Sequence, residues 1–365
     1  MKIVHIINNL GDGGAERTLV NLVTYSKSQD IKYIIISLEK ENHYSQYLKE
    51  RNIEVHYFNF SKSIFNNIFE FIKIFKLIKQ LKPNITHSWL YYSDLINSII
   101  SKINKTKSIW SIRGMEVYSD SNNLIHKLTI KILSFLAKKV PSKIISCSER
   151  AAESFIKIGY PKEIVVIPNG YDFKKFNNDK KRKYYSKKNV FVIGNVGRFH
   201  PHKDHANLVH AINILKQLTN KNFKLVLIGR NIDHNNTELI DLIKKLNLIK
   251  NVDLLGKKNN IEDYYAKFDL FVLSSFTEGF PNVILEAMAS GVPCVSTNVG
   301  DVPLIIGETG KIVPVNDPIL LANAILEMME SSRLVDFGAM AQKRVSERFT
   351  IEKMIDEYEN IYKSC

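Results

Sequence analysis

Short apolar runs rich in β-branched residues alternate along the chain with stretches of helical periodicity. In the first half, such runs predict strands at 3–7, 33–37, 55–58, 85–88, 108–112 and 143–146. Helical patterns lie between several of them, at 16–26 and 65–81 among others. Strands that alternate with helices form parallel sheets covered on both faces, so this half predicts a Rossmann-like α/β domain.

A second series of the same kind follows. It predicts strands at 190–194, 224–228, 252–254, 270–274, 293–296 and 310–313, with helices between them at 205–218 and 236–246. We therefore expect two doubly wound domains, 1–176 and 189–350, that face a central cleft. The polar, lysine-rich stretch 177–188 reads as the linker, and the tail 351–365 as a helix that packs on either domain.

The charge is unevenly distributed. The 365 residues carry a net charge of +14, of which residues 1–165 hold +10 and residues 166–365 hold +4. Nucleic acid, an anionic membrane surface or a phosphorylated substrate would explain the excess, and so would a lysine-rich composition. Nucleic acid is disfavoured because no recognition module or aromatic-rich basic patch is present.

Two glycine- and cation-containing loops follow predicted strands. NNLGDGGAER (8–17) allows close backbone approach at Gly11, Gly13 and Gly14, but it lacks the GxGxxG spacing and also fits a simple tight turn. VIGNVGRFHPHKDH (192–205) places Arg198 and Lys203 in a loop before a helix. Arg and Lys in such a loop can hold a pyrophosphate, although two isolated cations could equally be solvated.

The most specific segment is 274–306. It contains EGFPNVILEAMASGVPCV, in which Glu278 follows a strand and Glu286 lies on the next helix. With GGAER (13–17), IPNGYD (167–172), GRFHPHKDH (197–205) and GDVPLII (300–306), this segment resembles the retaining GT-B glycosyltransferases of family four. The resemblance covers nearly the whole chain and extends to the subgroup that elongates bacterial surface polysaccharides.

The resemblance implies a donor site for a nucleotide sugar. In it Glu286 would bind the ribose, Glu278 the donor sugar, and Arg198 with Lys203 the diphosphate. The segment after Gly256 would border the base. The full set of donor-binding candidates is Gly13, Gly14, Gly197, Arg198, Lys203, Glu278, Gly279, Phe280, Pro281, Asn282, Val283 and Glu286.

The acceptor side is expected in the first domain, in THSWLYYSDL (86–95) and SIWSIRGMEVY (108–118). Asp94, Arg113 and Glu116 are its candidates, and Arg113 stands where many relatives carry a histidine. His87 is a further catalytic candidate, with a structural role beside the sheet as the alternative. The catalytic set is therefore Arg198, Lys203, Glu278, His87 and Arg113.

The expected reaction is a metal-independent, retaining transfer from a nucleotide sugar, most simply a UDP-sugar, to a lipid-linked saccharide. No DxD motif follows a strand, so we expect neither a metal nor a cofactor. An epimerase or phosphorylase of the same fold and a non-catalytic nucleotide-sugar binder are the alternatives. An epimerase would need several acid–base groups around the donor and a phosphorylase would need a cofactor lysine, and neither is visible in the sequence. A non-catalytic binder is disfavoured because the sugar-side residues Glu278 and Asn282 are retained.

Residues 124–140 read as a basic amphipathic helix for an anionic membrane, or as a sheet-packing helix with solvated lysines. The similar stretch 65–81 stands where a crossover helix is needed and is expected in the core. No signal peptide, spanning segment or CxxC pair is found, and the three cysteines lie far apart. These features favour a cytoplasmic protein, peripheral on the inner face of the plasma membrane.

Overall fold

The structure is a computed structural model that describes residues 1–61, 63–115, 124–176 and 190–365. The predicted linker 177–188 and the acceptor candidate Glu116 lie outside the described residues. The chain divides into two compact units, Met1–Gly170 with Ile351–Cys365, and Tyr171–Thr350.

The first unit contains a parallel seven-stranded sheet in the order β3-β2-β1-β4-β5-β6-β7. Its strands are β1 Lys2–Ile7, β2 Lys32–Ser37, β3 Glu54–Tyr57, β4 Ile85–Trp89, β5 Lys107–Ile112, β6 Lys143–Ser146 and β7 Ile164–Val166. Its helices are α1 Gly14–Tyr25, α2 Ser45–Glu50, α3 Ile64–Leu81, α4 Tyr91–Asn104, α5 Leu124–Leu136 and α6 Glu149–Lys157, with one more from the end of the chain.

The second unit contains a parallel six-stranded sheet in the order β10-β9-β8-β11-β12-β13. Its strands are β8 Phe191–Val196, β9 Phe223–Ile228, β10 Val252–Leu254, β11 Leu270–Leu273, β12 Cys294–Thr297 and β13 Gly310–Val313. Its helices are α7 Phe173–Phe176, α8 His205–Leu218, α9 Thr237–Lys245, α10 Glu262–Tyr265, α11 Asn282–Ala289, α12 Val302–Ile306, α13 Pro318–Glu330 and α14 Leu334–Arg348. Both sheets have the doubly wound, Rossmann-like topology that the sequence predicts.

The first unit ends six residues before the predicted boundary at 176. The backbone amide of Tyr171 donates to the carbonyl of Phe349 at 2.8 Å, and the ring of Phe176 lies 5.9 Å from that of Tyr265. These contacts attach residues 171–176 to the second unit, a long-range pairing that local composition does not reveal.

The final helix, α15 Ile351–Ser364, belongs to the first unit. Met354, Tyr358 and Tyr362 recur every four residues and are buried against the sheet, on the same side as Ile3 and Trp89. The Tyr362 hydroxyl lies 2.8 Å from Nδ1 of His87, at the centre of β4. An apolar stripe of this period is what attaches a terminal helix to a sheet.

Helices α3 and α5 each have one buried and one exposed apolar face, and α3 is the crossover helix between β3 and β4 that was expected for 65–81. In α3 the inner side chains Ile74 and Ile78 are buried, yet Phe65, Ile68, Phe69 and Ile72 are exposed. In α5, Ile130 and Leu133 are buried, whereas Leu128, Ile132 and Phe135 are exposed. Within the described residues, no helix is both long and apolar enough to cross a membrane.

The contact between Tyr362 and His87 predicts a stability effect. In Tyr362→Phe the buried Nδ1 atom of His87 loses its partner, and an unsatisfied buried polar group costs about 1–3 kcal/mol. Urea unfolding should show this loss in the free energy of unfolding. Tyr92→Phe is the matched control, because Tyr92 is half exposed. Equal stability of Tyr362→Phe and the wild type would contradict a stabilising role for this hydrogen bond.

Candidate active site

In the second unit the loops that carry Arg198, Lys203 and Glu278 follow two neighbouring strands. Strands β8 and β11 are neighbours, and the strand order reverses between them. Ligands of open α/β sheets bind at such a switch point, beyond the carboxyl ends of the strands. Arg198 follows β8 and Glu278 follows β11, so the topology places both loops there.

The loop after β8 holds the Lys203 side chain against the backbone and leaves the Arg198 side chain exposed. A short 3₁₀ turn, Pro201–Lys203, leads to Asp204, whose carboxylate accepts from the amide of Asn207 at 3.1 Å and caps α8. The methylene stem of Lys203 lies over Gly197, so that a Cβ there would be 3.6 Å from it. The Arg198 side chain is exposed, without an ion-pair partner among the residues that the structure describes.

Lys203 and Glu278 form an ion pair. The Lys203 Nζ atom lies 2.5 Å from Oε1 of Glu278, and the Ser275 hydroxyl donates to the same oxygen at 2.7 Å. The Lys203 and Glu278 side chains are 22% and 14% exposed. The resemblance implies separate partners for these residues, diphosphate and sugar, whereas the structure joins them. One ammonium can therefore serve both a bound anion and this carboxylate, since it has three donors.

Backbone contacts fix the two loops to each other. The Ser274 hydroxyl donates to the carbonyl of Lys203 at 3.0 Å, and the amide of Phe276 donates to the carbonyl of His202 at 3.0 Å. These bonds hold the ion pair in place without using its charged groups.

Glu286 is held below the surface by a contact that the sequence does not indicate. It is 2% exposed, and its Oε2 atom accepts from the hydroxyl of Tyr265 at 2.8 Å. Tyr265 is fully buried at the end of α10. The only sequence signal was the aromatic pair Tyr264–Tyr265 just before β11, and nothing there pointed to its partner.

The rest of the motif serves packing and the start of a helix. Phe280 is buried against Phe349, with ring centroids 5.8 Å apart. Helix α11 begins at Asn282, and Pro281 before it provides no side-chain cap. Backbone amides of the first turn have no partner within the helix, so those of Asn282 and Val283 suit an anion or a hydroxyl.

Gly300 shapes the Glu278 loop from the other side. It has φ +44°, and a Cβ there would lie 2.2 Å from the carbonyl oxygen of Gly279 and 2.3 Å from that of Glu278. The amide of Asp301 donates to the same Gly279 carbonyl at 3.2 Å. The glycine of GDVPLII is therefore required by the backbone of EGFPN.

In the first unit, Arg113 is surrounded by partners at the end of β5. Its guanidinium donates to Oδ1 of Asn169 at 2.5 Å and to the hydroxyl of Tyr358 at 3.1 Å, and it lies 5.1 Å from the Trp89 ring. Thr18 near the glycine turn donates to the carbonyl of Gly14 at 2.9 Å. A Cβ on Gly13 would meet only the flexible carboxylate of Glu16 closely.

His87 lies in the interior of the first unit. It is fully buried, with Nδ1 and Nε2 each 2.8 Å from a hydroxyl, of Tyr362 and Ser111. Burial lowers the pKa of His87 well below its usual range, so the ring is neutral near pH 7. His87 is therefore an interior residue, which favours the structural role beside the sheet over the catalytic one, and one of its partners comes from a helix distant in sequence.

Asp94 is also an interior residue, because its side chain is on the buried face of the first turn of α4. It is 4% exposed and accepts from the hydroxyl of Ser88 at 2.6 Å. Burial raises the pKa of the Asp94 carboxyl well above its ordinary value. Within 1–61, 63–115, 124–176 and 190–365, no three His, Cys, Asp or Glu side chains form a group suited to a metal ion.

The fold and the two motif regions define a glycosyltransferase of the GT-B fold. Residues 12–175 match the family described as Glycosyltransferase Family 4, and residues 176–344 match Glycosyl transferases group 1. The chain is 30% identical over 316 residues to the capsular polysaccharide biosynthesis glycosyltransferase CapM of Staphylococcus aureus, covering 82% of each protein. It therefore belongs to glycosyltransferase family 4 and is a glycosyltransferase.

Two further comparisons are consistent with this family and fold. The chain is 28% identical to the Escherichia coli UDP-Gal:alpha-D-GlcNAc-diphosphoundecaprenol alpha-1,3-galactosyltransferase, covering 82% of this chain and 80% of that protein. The fold is similar to Anabaena Alr3699/HepE in complex with UDP-glucose, with a TM-score of 0.86, 20% identity and full coverage of both chains.

The backbone contact at Gly300 predicts a large effect of a single methyl group. Gly300→Ala should lose about 1–2 kcal/mol from the left-handed backbone and about 1–3 kcal/mol more from the clash with the Glu278–Gly279 carbonyls. Gly256→Ala is the matched control, with φ +68° but only one atom, the Cβ of Asp233, near the added methyl. Calorimetry should show a larger loss for Gly300→Ala, and equal losses would contradict the packing role.

Proposed function

We propose that the protein transfers a hexose or N-acetylhexosamine, with retention and without a metal ion, from a UDP-sugar to a hydroxyl of a lipid-linked glycan. The observation that carries the proposal is the cluster at the β8–β11 switch point. There Arg198, Lys203 and Glu278 lie in two loops that are fixed to each other, and the buried Glu286 lies on α11, the helix that follows the second loop. The setting would be capsule, O-antigen or related polysaccharide synthesis, at the cytoplasmic face of the membrane.

The donor half of the proposal rests on charge. A nucleoside diphosphate needs cations for its phosphates and acceptors for its ribose. Arg198 and Lys203 would hold the diphosphate, together with the backbone amides of the first turn of α11. Glu286 would accept from the ribose hydroxyls, oriented by Tyr265. The names of the E. coli and Anabaena relatives contain UDP-Gal and UDP-glucose, which supports uridine as the base.

The acceptor half rests on the relatives' names more than on geometry. The E. coli protein is named for a diphosphoundecaprenol-linked saccharide, and the S. aureus protein for capsular polysaccharide. In the first unit Arg113 is the remaining acceptor-side candidate among the described residues, because His87 and Asp94 are interior. Arg113 would orient an acceptor through hydrogen bonds, because a guanidinium offers donors and no acceptor atom.

The proposed mechanism needs little covalent chemistry from the protein. An acceptor hydroxyl attacks the anomeric carbon on the face from which the diphosphate departs, and a diphosphate oxygen takes the hydroxyl proton. Arg198 and Lys203 stabilise the charge that develops on the leaving group. Glu278 holds Lys203 in position and offers its remaining acceptor sites to the sugar hydroxyls.

Substitutions in this cluster should separate a loss of turnover from a loss of substrate binding. Arg198→Ala should lower kcat about 10²–10³-fold, as removal of one preorganised electrostatic group does. Glu286→Ala should mainly raise KM, because ribose contacts are made in ground and transition states alike. Steady-state transfer from UDP-sugar to a lipid-linked acceptor measures both. Lys250→Ala is the control, since Lys250 is exposed and precedes β10 at the opposite edge of the sheet. Near-normal turnover of both variants would refute this site.

A thermal-shift screen tests the donor class directly. A ligand that binds only the native state raises stability with the logarithm of its concentration over Kd, so UDP-sugars at 100 Kd should add about 2.7 kcal/mol. GDP- and ADP-sugars should shift the melting temperature less, and Glu286→Ala should abolish the UDP-specific part. A preference for GDP or ADP would overturn the assignment of uridine. Conversion of UDP-sugar in the absence of acceptor would indicate an epimerase instead.

A further inference from the structure

We propose that the outer surface formed by α3, α4 and α5 is the face on which the protein binds an anionic lipid bilayer. We call it the three-helix face. The inference deepens the proposed function, because a lipid-linked acceptor must be reached at a membrane surface. It extends the amphipathic segment 124–140 to α3, whose similar sequence was expected in the core, and to α4.

The three-helix face exposes an unusual amount of apolar surface. Of 22 large hydrophobic side chains exposed among the described residues, ten lie on it: Phe65, Ile68, Phe69 and Ile72 of α3, Tyr92, Ile99 and Ile103 of α4, and Leu128, Ile132 and Phe135 of α5. Phe65 is 87% exposed. Helix α4 packs against both α3 and α5, so these side chains lie on three neighbouring helices. Contiguous exposed apolar patches mark docking sites.

Helix α3 carries two apolar stripes, and only one of them covers the sheet. Ile74 and Ile78 pack on Val4 and Ile6 of β1, which satisfies the need for a sheet-covering face. The opposite stripe begins with Phe65, Ile68, Phe69 and Ile72 and continues with lysines at 73, 76 and 79. A soluble crossover helix needs only the first stripe, so the second has no packing role within the unit.

The charged side chains of the three helices indicate which partner the face binds. The three helices contain two acidic residues, Glu70 and Asp94, and both are buried. Their exposed polar side chains include Lys73, Lys76, Lys79, Lys102, Lys127 and Lys131, and further lysines follow the helices at 82, 105, 138 and 139. The ammonium of Lys73 lies 4.5 Å from the Phe69 ring and that of Lys139 lies 4.4 Å from the Phe135 ring. Aromatic rings beside lysines, with no exposed carboxylate on these helices, fit an anionic lipid surface.

A second copy of this chain fits less well. A two-fold dimer brings the same patch of both copies together. That arrangement would place the lysines of one copy against those of the other, with no acidic side chain of the three helices exposed to neutralise them. The same charges that favour a bilayer therefore oppose self-association through this face.

The orientation of the helices suits the proposed reaction. Each of the three helices connects two parallel strands, so its first turn lies at the carboxyl edge of the sheet. Phe65 and Tyr92 are at that edge, as is the Arg113 loop that follows β5. A bilayer on the three-helix face would then meet the side of the unit that holds the acceptor candidate.

Vesicle flotation of the full chain tests the inference. Wild-type protein should float with phosphatidylglycerol/phosphatidylcholine vesicles and much less with phosphatidylcholine alone. Phe65→Ser with Phe69→Ser should weaken the partition coefficient about tenfold for each side chain. Lys127→Glu with Lys131→Glu should weaken it at least about fivefold per residue, because each lysine near an anionic surface contributes about 1 kcal/mol. High salt should reduce wild-type binding.

Two controls match these variants in chemistry but not in position. Ile319→Ser with Val335→Ser removes side chains that are 60% and 74% exposed on the second unit. Lys244→Glu with Lys245→Glu reverses two exposed lysines of α9. Both control proteins should float like the wild type. Failure of wild-type protein to float, or equal losses in the controls, would overturn the proposal.

Two further measurements distinguish a lipid surface from a contact between copies, and membrane binding from donor binding. Light scattering should show a wild-type monomer; a dimer that Phe65→Ser with Phe69→Ser converts to monomer would overturn the lipid surface in favour of a contact between copies. The UDP-induced thermal shift should be unchanged in every three-helix variant. If the wild type floats but UDP gives no shift, the proposed function fails and the membrane face stands. If UDP shifts the melting temperature and the wild type does not float, the membrane face fails and the proposed function stands.

Discussion

The first unit depends on the last helix of the chain. α15 supplies Tyr358 and Tyr362, whose hydroxyls form hydrogen bonds with Arg113 and His87, two polar groups in or near a core of parallel strands. Their rings pack with Trp89 on the same side of the sheet, where His87 and Trp89 are stacked at 5.0 Å. Because burial without a partner costs more than a hydrogen bond returns, the terminal helix is part of this unit and not an appendage. It is also the reason that the unit is not continuous in sequence.

The secondary structure followed from the sequence because parallel strands are buried on both faces and so appear as uninterrupted apolar runs. Of the thirteen strands in the described residues, only β7 was missed, a three-residue edge strand with two partly buried residues and one exposed. The errors came from long-range contacts. Nothing local indicates that Tyr171 pairs with Phe349, or that Tyr362 reaches His87. Helix α3 is the crossover helix that was expected, and its second, exposed apolar stripe was missed because a crossover helix needs only one apolar face.

The sequence predicted candidate donor residues but not the contacts that they make. The motif carried Lys203, Glu278 and Glu286, yet their spacing does not reveal that the first two are paired or that the third is bonded to Tyr265. Those contacts join segments more than twenty residues apart, or 75 in the case of the ion pair. On the acceptor side, the motif segments did not reveal the constraint of burial: His87 lies at the middle of β4, which is buried along its whole length, and Asp94 lies on the buried face of α4. Arg113, beyond the end of its strand, escapes that constraint.

The excess positive charge of the first unit is concentrated on one side of its sheet, because the acidic residues on that side are buried. A lysine-rich composition alone would scatter cations over both faces of the first unit and mix them with carboxylates. On α3, α4 and α5 the only two acidic residues are instead buried. The Glu70 carboxylate lies 2.9 Å from the Lys73 ammonium, and the Asp94 carboxylate accepts from the Ser88 hydroxyl at 2.6 Å. The opposite side of the sheet is covered by α15, whose exposed surface carries Glu352, Asp356 and Glu357 beside its lysines. Composition cannot distinguish two sides of one sheet, so an asymmetry of this kind favours a directed surface, and the exposed aromatic side chains on the basic side favour lipid over a soluble polyanion.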